Sequence, residues 1–219
     1  MSRPYRCARC GGPVREPGIW SNAWRCERDG DVDPVAPAVL PSHEQLAAAV
    51  HEARVPFWLP WPLPTGWLAT GLTRAGDERT GTRAALLSCG GPNPLGGYSE
   101  LVVIAEEPGV GLGAHWAGLP GVDPGRQFAA TSGPHAKVHV AGHATPLWCV
   151  DGTADNAVYV GEAMGLWLWL VLWPASAGAL VHDLSLVDLR DAPRDLQPPL
   201  GALSRRFEDG GQENGTAGR

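Results

Sequence analysis

Three cysteines stand within the first 26 residues, and their spacing is that of metal ligands. Cys7-Ala8-Arg9-Cys10-Gly11 is followed, with fifteen residues intervening after Cys10, by Cys26-Glu27-Arg28-Asp29-Gly30. Both segments fit C-x-R-[C/D]-G, so the second repeats the first with Asp29 in the place of a cysteine. Two tight turns, each offering donors at i and i+3, are how a zinc ribbon closes around its ion, and glycine after the second donor permits the left-handed backbone that such a turn needs. Zinc accepts a carboxylate oxygen at nearly the distance of an imidazole nitrogen. The spacing therefore predicts a structural Zn2+ site formed by Cys7, Cys10, Cys26 and Asp29. Three thiolates and a carboxylate leave that centre at -2, a charge that Arg6, Arg9, Arg25 and Arg28 are placed to offset. A ribbon that has lost its metal, or a fourth ligand from elsewhere such as His43, are the alternatives. Asp29, Asp31 and Asp33 also open like a calcium loop, but Pro34 occupies the position of that loop's sharp-turn glycine.

Other chemistry-bearing groups are less ordered. Gly109-Val110-Gly111-Leu112-Gly113-Ala114 satisfies the permissive dinucleotide fingerprint G-x-G-x-x-A, yet Pro120 follows too soon for a crossover helix. His135, His139 and His143 recur every fourth residue. On a strand, favoured by Lys137-Val138-His139-Val140, they share a face but span about 26 Å, too far for one metal. Cys89, before Gly90-Gly91-Pro92, is the sole cysteine in a loop-like setting; Cys149, between Trp148 and Val150, reads as core. Asp77/Glu78 and Glu106/Glu107 are adjacent, so in strands each pair points to opposite faces and makes a poor acid–base couple. No nucleophile elbow, metalloprotease helix or phosphate loop is found.

The elements that must position these groups follow from pattern. Residues 1–33 are poor in apolar side chains and need a metal to fold. Residues 34–41, rich in proline, read as an extended linker. Ser42 is an expected N-cap and Gln45 completes a capping box for a helix over Glu44–Arg54. Four prolines between Val55 and Pro64 forbid helix and central strand, so this run is expected to cross the surface with its aromatics tucked in. Strands are expected at Leu68–Arg74 and Arg83–Cys89 around a hairpin turn, then Leu101–Ala105, Lys137–Val140, Trp148–Val150, Ala157–Val160, Leu166–Trp173 and Leu184–Leu189, with a short helix at Gly113–Ala117. Leu166–Trp173 sets tryptophans and valine on one face and four leucines on the other, the pattern of a buried central strand. The expected fold class is α+β: a small N-terminal zinc ribbon (1–33), a linker (34–41), a mostly antiparallel sheet domain with few helices (42–191), and a disordered polar tail (192–219).

The 219 residues are 44% hydrophobic and 18% charged, as in a globular chain, and 17 basic against 23 acidic side chains exclude a generally basic nucleic-acid coat. Locally the balance differs. Arg3, Arg6, Arg9, Arg15, Arg25 and Arg28 face only Glu16 and Glu27, so a nucleic-acid face is open but not favoured over a protein contact. Trp20 and Trp24, four apart, would form an exposed patch or cover the turns. Ala163–Val181 is uncharged, but its internal tryptophans and Pro174 argue against a membrane span, and the N-terminus is no signal peptide.

The start C-A-R-C-G-G-P-V-R-x-P-G-x-W-S-x-x-W-R-C-x-x-D-G, then L-P-x-G-W, G-D-E-R-T-G, A-E-E-P-G-V-G-L-G and L-W-L-V-L-W-P, resembles an uncharacterised actinobacterial domain-of-unknown-function family over nearly the whole chain. The resemblance implies a cysteine-bearing N-terminal knuckle with histidine common at the place of Asp29, and it carries no activity or substrate. The functional expectation is a cytoplasmic, non-enzymatic binding or regulatory module with a structural zinc and a protein partner. Its rivals are a small-molecule enzyme with a pocket in the 42–191 domain and nucleic-acid binding through the ribbon's arginines.

Overall fold

The computed structural model describes residues 4–19, 21–39, 42–125, 128, 133–193 and 196–207. Short strands open the chain: β1 (Arg6–Cys7), β2 (Val14–Arg15), β3 (Arg25–Cys26), β4 (Gly30–Asp31) and β5 (Pro34–Val35). Helix α1 (His43–Glu52) and strand β6 (Trp58–Pro60) lead into β7 (Leu68–Asp77), β8 (Gly81–Pro92) and β9 (Tyr98–Glu106). After the one-and-a-half-turn helix α2 (Leu112–Ala117) come β10 (Ala136–Val140), β11 (His143–Val150), β12 (Ala157–Ala163), β13 (Leu166–Trp173) and β14 (Ser185–Asp188). Two 3-10 stretches, Ala175–Asp183 and Arg205–Phe207, complete the described elements. The protein is sheet-dominated with few helices, and no helix among the described residues is long and apolar enough to cross a membrane.

One sheet runs β1-β5-β7-β8-β9-β13-β12-β11-β10-β14-β6, and β2-β3-β4 form a second, small one. Every pairing in the large sheet is antiparallel except β10 with β14. Strand β13 sits at its centre, between β9 and β12. Its alternation is resolved as the pattern demands. Leu168, Leu170 and Leu172 enter one apolar cluster; Trp169, Val171 and Trp173 enter the other, on the opposite face. The sheet curls: β6, at the far edge in pairing order, folds back over β8 and β9 and inserts Phe57, Trp58 and Leu59 into the first cluster. The proline-rich run thus becomes an edge strand, the position in a sheet that tolerates missing N–H donors. On the other face, α2 packs Leu112, Ala114 and Trp116 over Leu86, Ile104 and Trp169.

Local signals account for the ends of elements. Ser42 Oγ accepts the Gln45 N–H at 3.0 Å and starts α1, which stops two residues short of the expected Arg54. Asp77 Oδ1 accepts from the Thr80 N–H at 2.7 Å and closes the β7–β8 turn.

Two boundaries depart from expectation. Residues 34–39, the described part of the expected 34–41 linker, are held to the sheet, because Pro34–Val35 form β5, wedged between β1 and β7, and Val39 bridges to Leu72. Proline is accepted there because β5 is so short, and the rest of the run hugs β7 through the Ala36 N–H to Arg74 O bond of 2.9 Å. The segment 196–207, expected as tail, also packs. Leu196 and Leu200 meet the first cluster, the Gly201 N–H donates to Ala69 O at 2.8 Å, and Phe207 lies edge-on to Trp116 at 5.3 Å. A few well-spaced apolar side chains suffice to hold an otherwise polar segment. Residues 208–219 of the expected tail lie outside the described residues, as does Trp20.

Candidate metal centre

Each half of the ligand motif sits on its own turn. After β1 the chain reverses so that the Gly11 N–H donates to Cys7 O at 2.9 Å and the Cys7 N–H to Gly12 O at 2.8 Å. The second turn joins β3 to β4, pairing Cys26 with Gly30. Gly11 and Gly30 take φ of +67° and +72°, the left-handed conformation anticipated for the residue that closes each turn. The repeat therefore produces two copies of one backbone shape facing each other.

Between them the four donor atoms lie within 4.8 Å of one another. Zinc at about 2.3 Å from sulfur and 2.0 Å from oxygen, in a tetrahedron, sets S···S edges near ~3.8 Å and S···O edges near ~3.5 Å. Cys10 Sγ and Cys26 Sγ are 3.5 Å apart, and Asp29 Oδ2 is 3.3 Å from Cys7 Sγ and 3.5 Å from Cys26 Sγ. The group is thus close enough to bind a metal ion, and these three separations lie near the edges of a four-coordinate site. His43, the alternative fourth ligand, lies elsewhere, its Nε2 3.2 Å from Pro198 O.

The electrostatics separate the carboxylate, held as the anion, from the buried thiols. Burial pushes the Cys7 thiol well above its ordinary range, while the Arg9 and Cys10 amides, turned toward the sulfur, oppose that shift and favour thiolate. Burial likewise raises Cys10, against the pull of the Gly12 amide. Burial also acts to raise Asp29, but hydrogen bonds from the three thiols and the charge of Arg28 outweigh it and hold the carboxyl below its usual value. Arg28 Nε is 3.8 Å from Asp29 Oδ1, and Arg9 donates to Asp29 O at 3.5 Å. The other ribbon arginines are largely committed: Arg15 pairs with Glu27, Arg25 with Asp31 at 3.2 Å, and Arg6 donates to Gly11 O at 3.3 Å. Arg3 lies outside the described residues.

The knuckle is fastened to the large sheet. Ala8 is fully buried in the second apolar cluster, Arg9 Nη2 donates to Gly109 O at 3.1 Å, and Asp33 meets Arg83 at 2.9 Å. Arg83 also pairs with Glu107 at 2.7 Å. Burial pushes Asp33 up despite Arg83, so this carboxylate has been placed where only its partner makes the charge tolerable.

Elsewhere the sequence-level candidates do not converge. Cys89 is wholly buried on β8 between Ala69 and Leu101, and burial raises its thiol. Cys149, expected in the core, is exposed instead, although it lies on the side of β11 that buries Leu147. The three histidines do not share one strand. A turn at Ala141-Gly142 separates β10 from β11, leaving His135, His139 and His143 exposed; His135 Nδ1 accepts the Cys149 N–H at 3.0 Å. Among the described residues the cysteine–aspartate group is the metal-ligand cluster that forms.

One residue's role escaped the sequence reading. Glu106, at the end of β9, is fully buried and its Oε2 accepts the Leu112 and Gly113 N–H groups at 2.8 and 3.1 Å. The amides that a dinucleotide phosphate would occupy behind a G-x-G-x-x-A turn are filled by the protein's own carboxylate. Burial, its largest influence, raises Glu106 to about 8 against the pull of those amides and the Trp169 indole. The signal available in sequence was an acidic residue three positions before the glycine run.

No curated protein and no solved structure matches the chain. A family profile does match, running from the first residue of the knuckle segment through the central sheet to Phe207. Over residues 1–207 the chain belongs to the family of unknown function DUF6758.

Proposed function

We propose that Cys7, Cys10, Cys26 and Asp29 hold one structural zinc ion and that the protein is a non-enzymatic binding or regulatory module acting, in the reducing cytoplasm, on a protein partner. The observation that carries the metal assignment is the set of donor separations, 3.3–3.5 Å where measured pairwise and no more than 4.8 Å overall. Four protein donors close the coordination sphere and leave no open position for substrate, which favours a structural role. Three thiolates with one carboxylate favour zinc over harder cations. The non-enzymatic reading is supported by what surrounds the other candidates: a sealed Cys89, histidines spread along a hairpin, and Glu106 occupied by two amides. A protein partner is favoured over nucleic acid because Arg15, Arg25 and Arg28 pair with neighbouring acidic side chains and Arg9 is held on Gly109 O.

Elemental analysis of untagged protein tests the assignment. One equivalent of zinc is expected in the parent, with strongly weakened retention in Asp29→Ala and none in Cys7→Ser. A parent free of zinc, or an Asp29→Ala protein that holds it as tightly, overturns the four-ligand site.

A further inference from the structure

Where the knuckle meets the sheet, a pocket of about 260 Å3 is left between elements that are far apart in sequence. The knuckle supplies Arg6, Cys7 and Gly11; the segment 35–38 forms one wall and Thr73 of β7 lies behind it. Helix α2 contributes Leu112, His115 and Trp116, and Phe207 closes the far side. The volume is just below the ~300–1,000 Å3 of sites for drug-sized ligands, so an occupant must be small.

The lining has a definite chemistry. Trp116 and Phe207 stand edge-to-face with ring centroids 5.3 Å apart at 67°, and Trp173 extends the same aromatic set at 6.3 Å from Trp116. Such rings favour a flat apolar body that can join the edge-to-face arrangement. The ionisable groups on the wall are the Arg6 guanidinium, the His115 imidazole and the Cys7 sulfur, a zinc ligand in the proposed site, and among the described residues no acidic side chain lines the pocket. Among the described residues no carboxylate pairs with Arg6; its Nη1 is spent on Gly11 O at 3.3 Å. Its remaining edge, Nε and Nη2, is the one that meets a carboxylate with two parallel bonds. One guanidinium suits a monoanion better than a phosphate dianion, which requires several donors.

The geometry points to a binding site, at the seam between knuckle and sheet, for a small aromatic monocarboxylate whose ring lies against Trp116 and Phe207 and whose anion meets Arg6. This deepens the proposed binding role and rests on the knuckle being folded, since Cys7 and Gly11 wall the site.

Ligand-observed NMR on the zinc-loaded full chain tests it, with phenylacetate as the probe and benzylamine and acetate as controls. Saturable binding of phenylacetate is expected, with neither control binding comparably. Arg6→Gln, at an exposed position, should weaken phenylacetate about tenfold or more, the scale of losing a charge-assisted pair of hydrogen bonds. Ala38→Phe, which fills the cavity, should abolish binding. Equal binding of benzylamine, an unchanged affinity in Arg6→Gln, or no binding of phenylacetate by protein of verified zinc content overturns the site. Zinc content measured on the same samples separates the two readings: phenylacetate bound by zinc-free, folded protein sustains the pocket and sinks the metal assignment.

Discussion

Asp29 and Glu106 are two carboxylates whose legibility in sequence differs for a physical reason. Asp29 stands in a local repeat, and ligand geometry on a tight turn is set by neighbours within five residues. Glu106 acts only because the chain turns back and presents the Leu112 and Gly113 amides to it, a tertiary event that an A-E-E-P-G-V-G-L-G string does not announce. What was legible, that Glu106 and Glu107 face apart, holds: Glu107 pairs with Arg83 while Glu106 is buried. The burial has a consequence for stability. An ordinary glutamate ionises near 4.5, whereas Glu106 keeps its proton to about 8. Between those values the native state binds more protons than the unfolded chain, so stability is fully present below about pH 4.5 and is lost as pH rises through 8. Glu106→Gln preserves an acceptor for the two amides and has no charge to bury. Its melting temperature should exceed that of the parent at pH 9 and converge toward it at pH 5. Parallel melting curves across that range, with no change in the difference, would show that Glu106 is ionised throughout and that burial does not raise its pKa.

At the scale of elements, period and punctuation fixed most strands, because a sheet covered on both faces writes its burial directly into the chain. Leu166–Trp173 was assigned to the same residues that form β13, and its two faces feed the two cores. Short, paired or edge elements were harder. β5 is two residues long and gains its structure from β1 and β7, so a proline-rich stretch gave no hint of it. The glycine run matched a dinucleotide fingerprint in sequence, and the structure gives at least one of its members a packing role. A Cβ on Gly113 would fall 2.2 Å from Trp169 Nε1. Trp169 is fully buried in the central strand and has nowhere to retreat. Gly113→Ala should therefore destabilise the fold by about 1–3 kcal/mol, the usual scale of overpacking. Gly18→Ala, where the new methyl meets nothing within 4 Å, serves as the control and should melt with the parent. Equal melting temperatures for both variants would mean that α2 shifts freely over β13.

The whole molecule raises a question that its parts do not: whether the cysteine-bearing segment is a domain or a piece of one. Composition argued for a separate ribbon on a linker, since residues 1–33 hold little apolar material. The contacts argue otherwise. β1 joins the large sheet through β5, Ala8 is sunk in the second apolar cluster, Arg9 reaches Gly109, and Asp33 is held in a buried pair with Arg83. Each of these contacts depends on the knuckle keeping its shape, and with so few apolar side chains of its own, a bound metal is what would maintain that shape. Loss of the metal should then expose Ala8 and leave Asp33 and Arg83 unpaired in a half-dry site, costs borne by the large domain as well as the knuckle. Calorimetry distinguishes the two architectures. An integral knuckle predicts one unfolding transition in the metal-loaded protein, moved to lower temperature as a whole by a chelator or by Cys7→Ser. A tethered ribbon predicts that chelation removes a small, separate transition and leaves the main one in place. The β1–β5–β7 pairing and the Arg83 bridge make the first outcome the expected one, and a main transition indifferent to chelation would show that the metal supports only its own turns.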